Sequence, residues 1–586
     1  MASTFSYEPL PARSIRVIKL SPALHAEDPL ECSIRTVSLG RTKVESYEAL
    51  SYVWGEPTRQ WPMDCDGTQL LVTKNCHEAL LNLRRRFAPR VLWIDAICIN
   101  QGDDAEATKE RNAQVKMIGE VYLKARRVLI WLGPGDASTS ILFRYLPIFG
   151  ILERISDDHP RLESVLYPLV AQHFDINYGV LVKHKRTQLL ESMAAILKNP
   201  WFERVWTIQE VAFGRKCVIV RGQSNVDWDS FCRAYMAQPK LRESSRSAGD
   251  IILHRWRLYQ SLRGSSLEVI PPTRFKGAEQ VEFELGLLAE IRNMKATIPH
   301  DKIYSLYSVF QAMGISLPEP DYGKDVVKVF EEVTLAYIRS RQSLGIITLI
   351  PPAEGSSGLP SWVPNWLSSG RNNSLLIWKI ADFNAKHLPI TPLLTGNVGD
   401  GKLGVMGKRI GTISKRICCP LIGNSGLTKD EAYQEFLTAC LDWRDLIDSI
   451  TTYPSGKDLR DVERILLRPY HMNVAKSALR PWFRWATHGN DILPSVDDAA
   501  LDCIMEKRKA RGNFVIFVLD TGYVGTAHHS CQVTDQVSVL ASLNPLILRP
   551  QSRPREFRVV TPAYCEGAMD GSVNPRPEEL EEFVLV

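Results

Sequence analysis

The sequence predicts an α/β fold in its N-terminal part, followed by a mostly helical region and a β-rich C-terminal domain with a helical insertion. Three short apolar runs carry the strand signal: YEALSYVWG (47–55), LWIDAICINQ (92–101) and RVLIWLGPG (127–135). Two amphipathic stretches, 76–87 and 110–125, alternate with them. This β-α-β-α-β order is typical of a parallel sheet whose crossover helices cover its faces.

Each predicted element is defined by its apolar spacing and its stop signal. The first strand ends at Gly55 and Pro57, and Gly133 stops the third. The apolar positions of both helices follow a helical period; they are Ala79, Leu80, Leu83 and Phe87, and then Val115, Ile118, Tyr122 and Ala125. We therefore expect residues 47–220 to form a parallel sheet, with 92–99 as a central strand and 218–220 as the fourth.

Changes in residue pattern divide the chain further. The predicted divisions are an N-terminal extension (1–46), the α/β domain (47–228) with a largely helical insertion (136–198), a mostly helical region (229–389), and a β-rich C-terminal domain (390–586) whose helical insertion covers 427–510. We interpret the last domain as a small barrel or sandwich.

Composition narrows the class of protein. The chain has 586 residues, 45% of them hydrophobic, and a net charge of only +5, which is not typical of a dedicated nucleic-acid binder. Its 12 cysteines include no CxxC pair, so neither a metal site nor a disulfide framework is indicated. We find no signal peptide and no apolar run of membrane-spanning length, and we expect a cytoplasmic protein.

Polar residues follow the predicted second strand. Asp95 lies inside the apolar run, and Asn100 and Gln101 come at its end, as Trp54 does for the first strand. Because ligands gather beyond the carboxyl ends of parallel strands, these side chains are expected to face one crevice. A carboxylate within a strand must be paired or protonated, so Asp95 either binds a backbone or tyrosine donor or belongs to a site.

A second candidate is the helix predicted in NPWFERVWTIQEVAF (199–213). Trp206 and Glu210 are four residues apart and therefore share one helix face. They are candidate site residues. The alternative is that the tryptophans are core residues and that Glu210 is a surface acid.

The motifs of this chain resemble, in order and spacing, those of the fungal heterokaryon-incompatibility (HET) domain. The resemblance rests on YEALSYVWG, LWIDAICINQ, ERNAQVKMIGEVYLKARRVLIWLG and WFERVWTIQE, and it extends to trailing segments such as ATIPHDKIYSLYSVF (296–310) and PDYGKDVVKVFEEV (320–333). It implies an effector of fungal self/non-self recognition whose reaction ends in programmed cell death. The chain departs from the family pattern at His300 and at Cys565-Glu566.

The HET domain also resembles TIR domains, which have a flavodoxin-like sheet and some of which hydrolyse NAD. In those domains a glutamate stands four residues after a tryptophan on the helix that follows the third strand. The resemblance implies Glu210 as the catalytic residue and NAD as a substrate rather than a cofactor. The residues implied to contact NAD are Trp54, Asp95, Asn100, Gln101 and Trp206.

Two hypotheses of different kinds remain open. One is an NAD glycohydrolase. The other is a non-enzymatic death-signalling module whose surface self-associates or binds other incompatibility proteins; no GxGxxG or Walker loop follows any of these strands. A weaker third hypothesis is a thiol hydrolase that uses Cys98, for which a buried structural thiol is the favoured alternative.

Overall fold

In a computed structural model the chain folds into two compact units. The first unit comprises Met1–Arg274 and Met294–Asp325, and the second comprises Phe275–Asn293 and Val326–Val586. The described residues are 5–25, 27–40, 44–158, 186–236, 246–262, 278–350, 358–368, 394–418, 428–448, 481–482, 485, 514–540, 545–565, 567–568 and 577–586. Parts of both predicted helical insertions, 159–185 and most of 449–510, lie outside them.

The described strands and helices are numbered in chain order. The strands are β1 (Ser14–Leu20), β2 (Glu31–Ser38), β3 (Glu48–Tyr52), β4 (Arg59–Cys65), β5 (Thr68–Thr73), β6 (Arg90–Trp93), β7 (Val128–Trp131), β8 (Cys217–Arg221), β9 (Ser224–Asp227), β10 (Leu394–Gly399), β11 (Lys402–Cys418), β12 (Phe514–Leu519), β13 (Val524–His528), β14 (Gln536–Leu540), β15 (Leu546–Pro550), β16 (Glu556–Cys565) and β17 (Glu581–Leu585). The helices are α1 (Lys74–Leu83), α2 (Asp95–Cys98), α3 (Ala105–Lys124), α4 (Ala137–Asp158), α5 (Arg186–Leu197), α6 (Thr207–Ala212), α7 (Trp228–Met236), α8 (Arg246–Leu262), α9 (Ala278–Asn293), α10 (Asp301–Tyr304), α11 (Tyr307–Ala312), α12 (Val326–Arg341) and α13 (Lys429–Asp448).

The first unit is built on a mixed sheet of nine strands, in the order β5-β4-β2-β1-β6-β3-β7-β8-β9. Its centre is parallel: β3 pairs with β6 and with β7, and β7 pairs with β8. The predicted parallel strands are therefore present, and the strand that begins near residue 92 is central, as expected. Every residue of β3 and β7 is buried, which is typical of parallel strands covered on both faces.

The sheet as a whole is mixed, so the prediction of a purely parallel sheet was wrong. Residues 14–38, predicted as part of an extension, supply β1 and β2, and β1 runs antiparallel to β6. Residues 59–73 form the β4–β5 hairpin at one edge. Its turn, Asp66-Gly67, has φ angles of 53° and 78°, which is the Asp-Gly hairpin signal in the sequence.

Strand β6, predicted as the second strand over residues 92–99, is also shorter than predicted. It ends at Trp93, and Asp95–Cys98 forms the one-turn helix α2 in place of the expected strand continuation. The Asp95 carboxylate accepts the backbone N–H of Ala96 at 2.8 Å, and a negative charge at a helix N-terminus is favourable. Asp95 therefore lies immediately beyond the strand rather than within it.

The predicted helical faces were correct except at one position. Val115, Ile118 and Tyr122 of α3 are buried, as predicted. In α1, however, the helix ends at Leu83, so Phe87 lies beyond it and is 83% exposed. Arg84 and the residues after it do not continue the helical turn that would have buried Phe87.

The amino end of β3 carries a buried glutamate that pairs with three arginines. Glu48 is 2% exposed and pairs with Arg90 at 2.5 Å and Arg126 at 2.7 Å, and also with Arg127. Burial alone would raise the pKa of the Glu48 carboxyl, but its hydrogen bonds to the three arginines and the charge of Arg90 lower the pKa to about 2.

The second unit contains an eight-stranded sheet in the order β10-β11-β12-β13-β16-β15-β14, with β17 paired to β11 and β16. The long strand β11 pairs with β12 and also with β14, which closes a ring of antiparallel strands. Apolar residues from several strands, including Phe517, Val539 and Val560, form its core. Helix α13 follows β11, where the helical insertion was predicted.

Candidate functional site

The carboxyl ends of β3 and β6 are joined by a direct contact between two predicted site residues. Trp54 lies two residues beyond β3, and its indole Nε1 donates to Asp95 Oδ2 at 2.9 Å. Asp95 occupies the first turn after β6. The structure therefore brings Trp54 and Asp95 together at one edge of the parallel strands.

The two amides of the LWIDAICINQ motif stabilise the loop that carries Asp95. Gln101 Nε2 donates to the backbone oxygen of Asp95 at 3.1 Å. Asn100 Oδ1 accepts the backbone N–H of Gly102 at 3.0 Å, so its carbonyl turns back onto its own loop. Gln101 is thus close to Asp95, whereas Asn100 makes a local turn.

A buried arginine that sequence reasoning missed holds this loop against the sheet. Arg16 of β1 is 3% exposed and donates to both carboxylate oxygens of Glu110, at 2.6 and 3.0 Å. It also donates to the backbone oxygen of Cys98 at 3.1 Å, and Glu110 accepts the Asn100 backbone N–H at 2.8 Å. The backbone of the loop therefore has fixed partners on both sides. Burial raises the pKa of the Cys98 thiol to about 12, which favours a structural role for that residue.

Glu210 lies at the carboxyl end of β3, inside the protein. It belongs to α6 and is 4% exposed, so the alternative of a surface acid was wrong. Its carboxylate accepts the hydroxyl of Ser51, the next-to-last residue of β3. Ser51 in turn accepts the indole N–H of the buried Trp201 at 2.7 Å. Trp201, Ser51 and Glu210 thus form one hydrogen-bonded chain.

The surroundings of Glu210 disfavour its charged form. Burial raises the pKa of the Glu210 carboxyl to about 7, and the negative charge of Asp95 adds to this effect. Arg204, Ser51 and Arg255 oppose it. Glu210 therefore titrates near neutrality, in the range that suits a general acid or base.

Asp95 is affected by the same neighbours. Burial raises the pKa of the Asp95 carboxyl, while Arg204 and the Trp54 indole oppose the shift. Arg204 donates to the backbone oxygen of Tyr52, the last residue of β3. It is therefore a cation shared by Asp95 and Glu210, and it was not among the residues predicted for the site.

A second buried arginine supports the turn that contains Trp201. Arg255 of α8 is fully buried and donates to the backbone oxygens of Phe202 at 2.8 Å and Arg204 at 3.2 Å. Its guanidinium lies 5.1 Å from the centroid of the Trp201 ring. These contacts fix the position of the 3₁₀ turn Pro200–Glu203 that precedes α6.

Trp206 contacts Asp301, which was not predicted as a site residue. Its side chain hydrogen-bonds to the carboxylate of Asp301, which also accepts the hydroxyl of Tyr322 at 2.7 Å. Asp301 is 7% exposed, and Arg204 lies near it as well. Asp301 comes from the trailing segment 296–310 and Tyr322 from the trailing segment 320–333, and both residues belong to the first unit.

Five of the six predicted residues therefore belong to one connected region: Trp54, Asp95, Gln101, Trp206 and Glu210. The Asp95 and Glu210 carboxyl groups, both with raised pKa values, lie around Arg204 at the carboxyl end of β3. This arrangement can hold one acid protonated and the other ionised.

Within the described part of the chain, no group of three or more His, Cys, Asp or Glu residues is arranged to bind a metal ion. None of the described helices combines the length and apolar character that a bilayer crossing requires.

Comparison with known proteins gives two family matches and a curated relative. Residues 47–210 match the family described as "Heterokaryon incompatibility protein (HET)", and residues 430–586 match the "Het-6 beta-barrel domain". The chain is 27% identical, over 424 residues, to "Heterokaryon incompatibility protein 6, OR allele" of Neurospora crassa. The alignment covers 62% of this chain and 59% of that protein, so the chain spans about three fifths of its relative's length. No solved structure matches.

Proposed function

This chain is a heterokaryon incompatibility (HET) domain protein, and we propose that it acts as an effector of fungal self/non-self recognition that leads to programmed cell death. The HET match spans the parallel strands β3, β6 and β7 and ends at Glu210. The Neurospora crassa relative, whose name states an incompatibility role, supports the same assignment. Association with itself or with other incompatibility proteins is part of this proposal.

We further propose that the effector step is hydrolysis of NAD with Glu210 as the catalytic residue. The observation that carries this proposal is the buried Glu210 carboxyl, with a pKa of about 7, at the carboxyl end of β3. In open α/β sheets this edge is the usual ligand site. The parallel strands also follow the order β6-β3-β7-β8, which corresponds to 2-1-3-4 in flavodoxin-like sheets and supports a TIR-like fold.

The proposed reaction assigns a role to each group. The bond between ribose C1′ and the nicotinamide nitrogen breaks, its electron pair leaves with nicotinamide, and water adds to the ribose carbon and loses a proton. Ionised Glu210 stabilises the oxocarbenium-like transition state or accepts that proton. Arg204 lowers and Asp95 raises the pKa of the Glu210 carboxyl. Trp54, Gln101 and Trp206 provide stacking and polar contacts to the dinucleotide.

One observation favours a second candidate, a non-enzymatic signalling module. Glu210 is 4% exposed and already accepts the Ser51 hydroxyl, and Ser51 is bound to Trp201. In that case the WFERVWTIQE motif stabilises the fold, and the toxic effect comes from association with a partner. NAD hydrolysis requires this region to open to the substrate.

The test is nicotinamide release from NAD by the purified full-length chain and two variants. Glu210→Gln keeps the shape of the side chain and removes its charge, so turnover should fall by a factor on the order of a hundred to a thousand. Glu203→Gln is the matched control, because Glu203 lies on the adjacent turn, has a half-exposed side chain and pairs with Lys295 at the surface.

A parallel assay measures growth arrest in a filamentous fungus that expresses each variant. Loss of both nicotinamide release and growth arrest in Glu210→Gln, with both kept in Glu203→Gln, supports the enzyme. A wild-type chain that arrests growth without releasing nicotinamide excludes it and favours the signalling module.

A further inference from the structure

Two cysteines outside the proposed site lie opposite each other on neighbouring strands. Cys32 is the second residue of β2 and Cys65 is the last residue of β4, and the two are register partners in a parallel pairing. Both are free thiols, 6% and 0% exposed. The scattered cysteines of the sequence did not indicate this pair, because 32 and 65 are distant along the chain.

The backbone geometry suits a covalent bond between them. Neighbouring strands are about 4.8 Å apart, and register partners direct their side chains to the same face of the sheet. A disulfide requires a Cα separation of about 4.4–6.8 Å. The ordinary spacing of register partners therefore falls within the Cα range of a disulfide. The two thiols are also hydrogen-bonded to each other.

We propose that Cys32 and Cys65 form a reversible disulfide when the protein meets a small disulfide oxidant such as oxidised glutathione. The Cys65 thiolate attacks one sulfur of the oxidant and releases the first glutathione thiol. Cys32 then loses its proton and attacks the Cys65 sulfur, which releases the second. The protein thiols lose two hydrogens and two electrons, and one oxidised glutathione becomes two reduced molecules.

The interaction between the thiols indicates which cysteine attacks first. The hydrogen bond shared with Cys32 lowers the pKa of the Cys65 thiol, although burial, Asp66 and Asp64 oppose it. The pKa of Cys32 is raised, by the same hydrogen bond first and then by burial. The thiolate is the reactive form, so Cys65 is the nucleophile once local opening of the β4–β5 hairpin exposes its sulfur to the oxidant, and Cys32 resolves the mixed disulfide.

The position of the pair determines what the bond would do. Strands β2 and β4 are joined by two register pairs, Glu31↔Asp64 and Cys32↔Cys65. A disulfide there would tie the β4–β5 hairpin covalently to the sheet. The hairpin leads directly into α1, where Asn75 Nδ2 donates to the backbone oxygen of Val53 at 3.0 Å, next to Trp54. The bond would thus restrict the segment that follows β3.

The native chain is incubated with oxidised glutathione, and its peptides are then mapped by mass spectrometry under non-reducing conditions. A peptide pair joined through Cys32 and Cys65, with two hydrogens lost, is the expected product, and dithiothreitol should reverse it. Oxidation should also raise the unfolding temperature and slow the proteolysis of residues 59–73.

The variants Cys32→Ser and Cys65→Ser should each lose this product and the rise in unfolding temperature. Cys217→Ser, which replaces a fully buried cysteine of β8, is the control and should keep both. The peptide map of the wild-type chain tests the proposal even if a variant fails to fold. A native wild-type chain whose two thiols stay reduced, or that forms this disulfide only after unfolding in urea, overturns the proposal.

Discussion

Replacement of Glu210 by glutamine should stabilise the folded chain at pH 8. The Glu210 carboxyl titrates with a pKa of about 7 in the folded protein, against 4.5 for an unperturbed glutamate. Above pH 7 the folded state must therefore hold a charge that burial disfavours, whereas the unfolded chain exposes that charge to water. Glutamine has no charge to bury, and its amide oxygen can still accept the Ser51 hydroxyl.

The raised pKa sets both the sign and the size of the effect. Between pH 4.5 and 7 the folded state binds more protons than the unfolded state, so the wild type gains stability as the pH falls through this window. A shift from 4.5 to about 7 corresponds to about 3 kcal/mol, which is the upper bound on the gain from Glu210→Gln at pH 8. The gain should shrink steadily and vanish near pH 4.5.

Amide hydrogen exchange is the suitable assay, because a chain with two compact units need not unfold in one step. Exchange of peptides from β3 and α6 is compared between wild type, Glu210→Gln and Glu203→Gln at matched pH values from 5 to 8. Slower exchange in Glu210→Gln at pH 8, approaching the wild-type rate at pH 5, is expected. Faster exchange at pH 8, or a difference that does not change with pH, refutes the reasoning, since attraction to Arg204 would then outweigh the cost of burial.

Three further outcomes are expected. Glu48→Gln should cost about 3–5 kcal/mol in the opening free energy of β3, measured by amide exchange, since it removes the charge that pairs with the buried Arg90. Because the pKa of Glu48 is lowered to about 2 in the folded state, its contribution is fully present above pH 4.5 and is lost as the pH falls towards 2. Gly119→Ala should destabilise the first unit by about 1–3 kcal/mol because the added Cβ meets Ser308, although alanine has the higher helix propensity. The double variant Gly119→Ala with Ser308→Gly should recover most of this loss. Gly525→Ala should disrupt β13–β16 pairing, measured by circular dichroism and unfolding temperature, because its Cβ would meet the Tyr564 backbone and the Phe517 ring; a variant as stable as the wild type would contradict this.

The parallel centre of the sheet could be predicted because local patterns determine it. Continuous apolar runs separated by amphipathic helices indicate covered parallel strands, and β3, β6 and β7 follow that pattern. The edge hairpin was missed because most of β4 is exposed and therefore lacks the apolar signal of the central strands. Its Asp66-Gly67 turn was a local signal that could have revealed it.

The site was predictable to the extent that it depends on neighbours in sequence. The four-residue spacing of Trp206 and Glu210 is a local property of WFERVWTIQE, but the two side chains have different partners, Asp301 and Ser51. The contacts of Asp301 and Arg16 join segments far apart along the chain, and no spacing rule indicates them. The burial of Glu210, which raises its pKa, likewise depends on the packing of α6 against the rest of the first unit.

The antiparallel pairing of β1 with β6 has a consequence for the boundaries of the HET domain. The family match starts at residue 47, yet β6 is hydrogen-bonded to residues 18–20 along its other side. A recombinant fragment cut at residue 47 would leave the apolar edge of β6 without a partner in the middle of the sheet. Unpaired edges of this kind recruit strands from other molecules, so such a fragment should aggregate. If the proposed growth arrest were lost in that fragment, the loss would reflect insolubility rather than a missing signalling segment.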